Sequence, residues 1–199
     1  NVKIGNNVNL VAHTYIDGNT TIGENCKFFP YCSIGSPPQD LKYKGEDSIL
    51  KIGNNNIFRE YVTVNPGTEG GGLETVIGND CLFMISAHVA HDCRIGNNVI
   101  MVNNASIAGH VVLEDYAIMG ALSGAHQFCR IGKHSMIGGL AGVDSDVIPY
   151  GTVIGNRAYL SGLNIIGLKR RGFSKDIIQD LRKAYGLLFS SQEGIFSDR

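Results

Sequence analysis

From Ile77 onward, every sixth residue is apolar for twelve consecutive steps: Ile77, Phe83, Val89, Ile95, Met101, Ile107, Leu113, Met119, Ala125, Ile131, Ile137 and Val143. The chain is 43% apolar, so chance would fill only about five of those twelve slots. A period of six matches neither the 3.6-residue repeat of a helix nor the alternation of an amphipathic strand. It matches short extended segments separated by turns, each sending one bulky side chain inward. A fixed internal period of this kind defines a repeat architecture. The chain is expected to be an all-β solenoid.

The slots four residues after each inward residue hold Cys81, Ala87, Cys93, Val99, Ala105, Val111, Ala117, Ser123, Cys129, Ser135, Ala141 and Val147, all small or β-branched. A tight corner packed on the corner above has room for nothing larger. Ile77-Gly78, Ile95-Gly96 and Ile131-Gly132 recur at multiples of eighteen residues, with Leu113-Glu114 as the exception. Glycine reaches the backbone angles of a sharp corner without strain. Three hexads then make one three-sided coil, a triangular prism. The pattern opens with Ile4, Leu10, Ile16, Ile22, Phe28 and Ile34, and resumes at Ile52, Phe58 and Val64. The breaks, near 36–51 and 70–76, are expected to be surface loops. The solenoid should span 1–150. An irregular connection follows through Gly172, and then a short amphipathic helix in which Ile177, Ile178, Leu181, Ala184, Tyr185 and Leu188 recur at three and four and Ser174 is the N-cap. Residues 151–199 read as the start of an incomplete helical domain. The chain begins inside a hexad, so a fragment, or a solenoid lacking one or both caps, is expected.

The formal net charge of −1 argues against a general nucleic-acid binder. No apolar run reaches the length of a transmembrane span, and no signal peptide is visible. All five cysteines (Cys26, Cys32, Cys81, Cys93 and Cys129) fall in the small-residue slot, where a buried thiol behaves as a small hydrophobe. That usage suits a reducing cytoplasm.

The coil frame brings distant histidines together. His91 lies fourteen residues after Ile77, His110 fifteen after Ile95 and His126 thirteen after Leu113. Adjacent strands are about 4.8 Å apart, so the three should form a ladder up one edge. His88 lies close by, with Gln127 in the column of His91 and Gly109, and Asp92 in the column of His110. His13 and His134 fall elsewhere and are read as structural. A cluster of titratable groups beside Asp92 suits general-base catalysis: neutral imidazole takes a proton from an attacking hydroxyl or amine, and a carboxylate orients the ring. Zinc ligation is the other chemistry. A single-edge ladder meets tetrahedral geometry poorly unless a second subunit contributes, so no metal is expected. The cationic run Lys169, Arg170, Arg171, then Lys175, Arg182 and Lys183, reads as a solvated basic face or as a site for a phosphorylated ligand or acidic protein.

Five blocks carry a specific likeness: QDLKYKGE at 39–46, AHVAHDC at 87–93, NNASIAGHV at 103–111, AHQFCRIG at 125–132 and NIIGLKRRGF at 164–173. Through them, and over almost its whole length, the chain resembles the acyl-carrier-protein-dependent UDP-N-acetylglucosamine 3-O-acyltransferases, which catalyse the first step of bacterial lipid A biosynthesis. The resemblance implies a left-handed parallel β-helix and a homotrimer with active sites in clefts between subunits, and the cysteine usage makes a cytoplasmic enzyme the expectation. The co-substrate would be an acyl carrier protein thioester, with no other cofactor. It implies His91 as catalytic base, Asp92 as its partner and the Gly109 N–H as oxyanion donor. It further implies His88, His110, His126 and Gln127 lining the cleft, and Asp40 and Lys42 reaching the sugar nucleotide. Asn164, Arg170 and Arg171 would lie at the nucleotide end, with Gly139 as an acyl-length gate open to longer chains. Two positions depart from the family pattern: Ile166 replaces a common acidic residue and Asn65 a frequent histidine. Alternatives are the related N-acyltransferase of a 3-amino sugar, a 3-amino sugar nucleotide as acceptor, a zinc γ-carbonic-anhydrase-like enzyme and a non-catalytic solenoid.

Overall fold

The computed structural model describes residues 1–156 and 159–189. Short strands, mostly two residues long, stack in parallel into three sheets, one on each face of a prism. Face A has seven strands from Lys3–Ile4 to Arg130–Ile131, face B nine from Asn9–Leu10 to Tyr159–Leu163, and face C seven from Tyr15–Ile16 to Gly142–Val143. The register is the eighteen-residue repeat itself, with Ile77 beside Ile95, Ile95 beside Leu113, and Leu113 beside Ile131. Inward residues build one continuous core. Inside face B, Phe28, Phe58 and Phe83 stack with ring centroids 4.6 and 4.7 Å apart, each fully buried. At the first coil Ile4 and Leu10 remain 46% and 45% exposed.

The corners are turned differently from the expectation. Asn55, Asp80, Asn98, Tyr116 and His134 after face A, and Asp92, His110 and Phe128 after face C, take left-handed backbone with φ between 57° and 69°. Gly78, Gly96 and Gly132 are not among these residues. They are needed for close approach instead: a Cβ on Gly78 would lie 2.5 Å from the Gly96 carbonyl oxygen, and one on Gly132 2.4 Å from the Pro149 nitrogen. Stacked corners leave no room there for a side chain.

The solenoid also runs past residue 150. Gly151–Ile154 pairs in parallel with Met136–Ile137, and Tyr159–Leu163 folds back on it antiparallel. In place of an irregular connection there is a hairpin, then helix α1, Ile165–Arg170, and helix α2, Lys175–Phe189. The last coil is two residues short, pairing Ile131 with Val147 and Ile137 with Val153. The six-step count therefore slips phase, and Val147 stands in the bulky column rather than the small one. The Ser174 hydroxyl accepts the Ile177 N–H at 3.3 Å, capping α2 as expected. Among the described residues no helix is long and apolar enough to cross a membrane.

Candidate active site

The site is built where face C turns toward face A. His91 follows the strand His88–Val89 and is 7% exposed; Asp92 beside it is 5% exposed and in left-handed backbone. His91 Nδ1 lies 2.8 Å from Asp92 Oδ2. Asp92 is held from further sides. The Thr68 N–H donates to Oδ1 at 2.9 Å, the Thr68 hydroxyl donates to Oδ2 at 2.6 Å, and the Asp92 N–H donates to Thr75 Oγ1 at 2.8 Å. With the carboxylate fixed as an acceptor, Nδ1 carries the proton and Nε2 is left as the basic nitrogen. Nε2 faces Asp40 Oδ2 at 4.0 Å.

Surface loops lie at both repeat breaks and close on this pair, although 49–51 and 74–76, expected to be loop, belong to the strands Ile49–Ile52 and Glu74–Ile77. Residues 36–48 bring Asp40 over His91, with an Asp40 oxygen accepting the Lys42 N–H at 2.9 Å in a tight turn. Residues 66–73 cover Asp92 so closely that a Cβ on Gly71 would lie 2.0 Å from its Cγ. Gly109 sits one coil above His91, which accepts the His110 N–H on its carbonyl. A Cβ on Gly109 would stand 2.4 Å from His91 Cε1, so only glycine admits the ring. Among the described residues the Gly109 N–H finds no ladder carbonyl, whereas the amides of Ala108 and His110 do.

Of the expected histidine edge, His91 and His110 are brought into contact, while His126 is exposed on the face C groove with His88. His110 meets His91 edge-on at 5.1 Å and stacks on Phe128 at 4.4 Å. His88 Nδ1 lies 2.7 Å from the Thr63 hydroxyl. Burial, then the neighbouring His91 charge, holds His88 below the ordinary imidazole pKa. His88 and His126 line a groove of about 720 Å³ across face C, whose floor falls away through Ser106, Gly124 and Gly142. Gln127 is exposed beside His126. Lys42 is exposed on the Asp40 loop.

The other expected site residues lie apart from this group within one chain. Gly139 is exposed at the corner between faces B and C. Asn164 caps α1, accepting the Gly167 N–H and donating to the His134 carbonyl, each at 3.0 Å. Arg171 donates to the Tyr116 carbonyl at 2.8 Å and lies over the Tyr116 ring. Arg170 is exposed at the end of α1, and Ile166 is 66% exposed on the same helix. Thr63, Thr68, Thr75 and Glu46 are not legible as site residues, and Asn65 is legible only as a departure from the family pattern. Thr75 looks like any small corner residue, and Thr68 falls in an insertion outside the hexad frame.

His91, Asp92 and His110 offer ligand atoms within 4.8 Å of one another. Asp92, however, already accepts from His91 and twice from Thr68. A cation would have to displace those donors, so the geometry suits proton transfer better than ligation. All five cysteines are buried and free. Burial pushes the thiols of Cys32 and Cys81 up to about 11 and that of Cys93 to about 12. None is poised as a nucleophile.

A parallel solenoid with a carboxylate-bound histidine on its edge belongs to the hexapeptide-repeat transferases. The family model for bacterial transferase hexapeptides (six repeats) matches residues 74–109, and that for UDP N-acetylglucosamine O-acyltransferase, domain 2, matches 146–198. The chain is 58% identical to the acyl-[acyl-carrier-protein]–UDP-N-acetylglucosamine O-acyltransferase of Paracoccus denitrificans, over 85% of this chain and 64% of that protein. It is 48% identical to the enzyme of the same name from Sinorhizobium fredii, over 94% of this chain and 70% of that one. The solved LpxA of Acinetobacter baumannii superposes with a TM-score of 0.92 at 45% identity, covering 96% of this chain and 74% of that structure. The chain therefore belongs to the acyl-[acyl-carrier-protein]–UDP-N-acetylglucosamine O-acyltransferase family, and its solenoid is a left-handed parallel β-helix. It spans about two thirds of the length of these relatives.

Proposed function

We propose that this protein transfers a 3-hydroxyacyl chain from the thioester of an acyl carrier protein to the 3-position of UDP-N-acetylglucosamine, the first step of lipid A biosynthesis. The observation that carries this reading is the His91–Asp92 pair: Nδ1 is tied to a buried carboxylate and Nε2 opens toward the Asp40 loop. Nε2 takes the proton of the sugar hydroxyl as its oxygen bonds to the thioester carbon. Asp92 stabilises the imidazolium. The tetrahedral oxyanion accepts from the unpaired Gly109 N–H. Collapse breaks the carbon–sulfur bond, and the imidazolium returns its proton to the leaving thiolate. The thioester supplies all the driving force, so the step calls for no cofactor. The face C groove would hold the sugar and part of the acyl chain.

The working form is a homotrimer in the cytoplasm. Outward residues of face B form an apolar stripe of Ile57, Leu82, Ile100, Ile118 and Met136, and the corner beside it exposes Leu122 and Leu140. A face of that composition suits burial against another copy. Packing it there would let Gly139, Asn164 and Arg170 of one subunit approach the histidine edge of the next. His91→Ala should lower kcat for acyl transfer by about 10²–10⁴-fold, the usual worth of a general base, while leaving the assembly intact. Product mass spectrometry, with several acyl-carrier thioesters and both 3-hydroxy and 3-amino sugar nucleotides offered, is the assay. Turnover surviving in the variant would sink the assignment of the base.

A further inference from the structure

Loop 36–48 carries Asp40, yet hexad packing does not hold it: it leaves the solenoid after Ser33–Ile34 and rejoins at Ile49–Ile52. At its start the Ser33 and Ser36 hydroxyls pair at 2.6 Å, and a side chain from the next coil holds the loop's backbone. Asn65 ends the strand Thr63–Val64 directly above the point of departure and is 3% exposed. Its Nδ2 donates to the Ser36 carbonyl at 3.0 Å and to the Pro37 carbonyl at 3.4 Å. The far end of the loop is held by Glu46, whose Oε1 accepts the Glu69 N–H at 3.1 Å. Between Asn65 and Glu69 lies Thr68, which grips Asp92 twice. One five-residue segment thus holds both carboxylates that flank His91, Asp92 on the Nδ1 side and Asp40 on the Nε2 side.

We propose that Asn65 is a positioning residue: its carboxamide fixes the loop base and so places Asp40 opposite His91 for the sugar nucleotide. The role toward the sugar rests on the acyl-transfer reading above; the placement of the loop does not. The carboxamide is specific to the task because both of its contacts are with carbonyls, which need a donor. An aspartate of the same size would turn a second acceptor on them.

The test is Asn65→Asp, read two ways. Site-resolved tryptic cleavage after Lys42 and Lys44, both exposed on this loop, reports loop fixation without catalysis. Loss of two hydrogen bonds should raise that rate about tenfold or more at a temperature where the variant remains folded. Steady-state kinetics should show KM for UDP-N-acetylglucosamine raised about tenfold, with kcat, the carrier-protein KM and the pH profile within about threefold. Unchanged cleavage overturns the proposal. So does a raised sugar KM without faster cleavage, since Asn65 would then touch the sugar itself. If Asn65→Asp does not fold, Asn65→Ser, which is too short to reach the two carbonyls, carries the same comparison. If the wild type turns over no sugar nucleotide, the acyl-transfer reading fails, and the cleavage arm still decides the role of Asn65.

Discussion

At the scale of the residue, the site is made by what presses on His91. Gly109 is the sharpest case, because its missing Cβ is the space the imidazole occupies. Gly109→Ala should push the ring off its line with Asp92 while leaving the strands paired. A displacement of about 1 Å at a reacting group costs on the order of 100-fold in rate. The expected result is a fall in kcat of that size with KM for both substrates within about threefold, measured by steady-state acyl transfer. Wild-type kcat in the alanine variant would mean that the ring has another place to sit. His91, Asp92 and the histidine edge were legible because an eighteen-residue coil turns spacing into position. The threonines that fix Asp92 were not. The Thr75 hydroxyl in its corner slot packs like an alanine, and Thr68 lies outside the hexad frame, so nothing in the spacing reveals their hydrogen bonds. Asn65 stood out only as a departure from a pattern, and its contacts with Ser36 and Pro37 are backbone contacts that no residue type announces.

At the scale of the element, the C-terminal helices dock on an aromatic corner rather than on the core. His134 is sandwiched between Tyr116 at 4.6 Å and Tyr150 at 5.3 Å, with Phe173 edge-on at 5.1 Å. Its carbonyl accepts from Asn164, and Arg171 closes the stack over Tyr116. Burial first, then the charges of Arg171 and Lys133, hold the His134 pKa below the ordinary imidazole value, with Asp115 opposing. An undocked histidine titrates near 6.5, so as pH falls below that value the undocked form takes up its proton first. Docking is therefore fully present above about pH 6.5 and weakens as pH drops toward the folded pKa. Hydrogen exchange of the amides in Ile165–Phe173 should quicken, after correction for intrinsic rates, between pH 7.5 and pH 5.5. His134→Phe keeps the stack and removes the proton, so the dependence should vanish; the same slope in that variant would assign it to another group. The amphipathic period of α2 was readable in advance, whereas the hairpin before it was not. A last coil two residues short shifts Val147 and Val153 out of the six-step count, and a short antiparallel strand has no period long enough to detect.

At the scale of the whole molecule, the three faces divide the work. Face A turns charged pairs outward, Lys51 and Arg94 each to Glu74, and Arg130 to Glu114, which suits contact with water. Face C carries the histidine edge and its groove. Face B alone presents a run of branched and sulfur-containing side chains from Ile57 to Met136, one per coil. In the proposed homotrimer each copy would meet its neighbours through heterologous surfaces that return on themselves after three steps, with the apolar face turned inward. The residues expected at the nucleotide end lie apart from His91 within one chain, and the proposed ring would bring them to a neighbour's edge. The prediction is a particle of three times the 21.4 kDa chain mass by light scattering. Ile118→Glu, which sets a charge in the middle of the stripe, should yield monomers, since burying an unpaired carboxylate in an apolar contact is strongly destabilising. The monomer should keep its β-sheet circular dichroism, because the side chain points away from the core, yet lose acyl transfer for want of the neighbour's surface. A monomeric wild type would sink the shared-site arrangement, and so would a monomeric variant with full activity, because the histidine edge of one chain would then suffice.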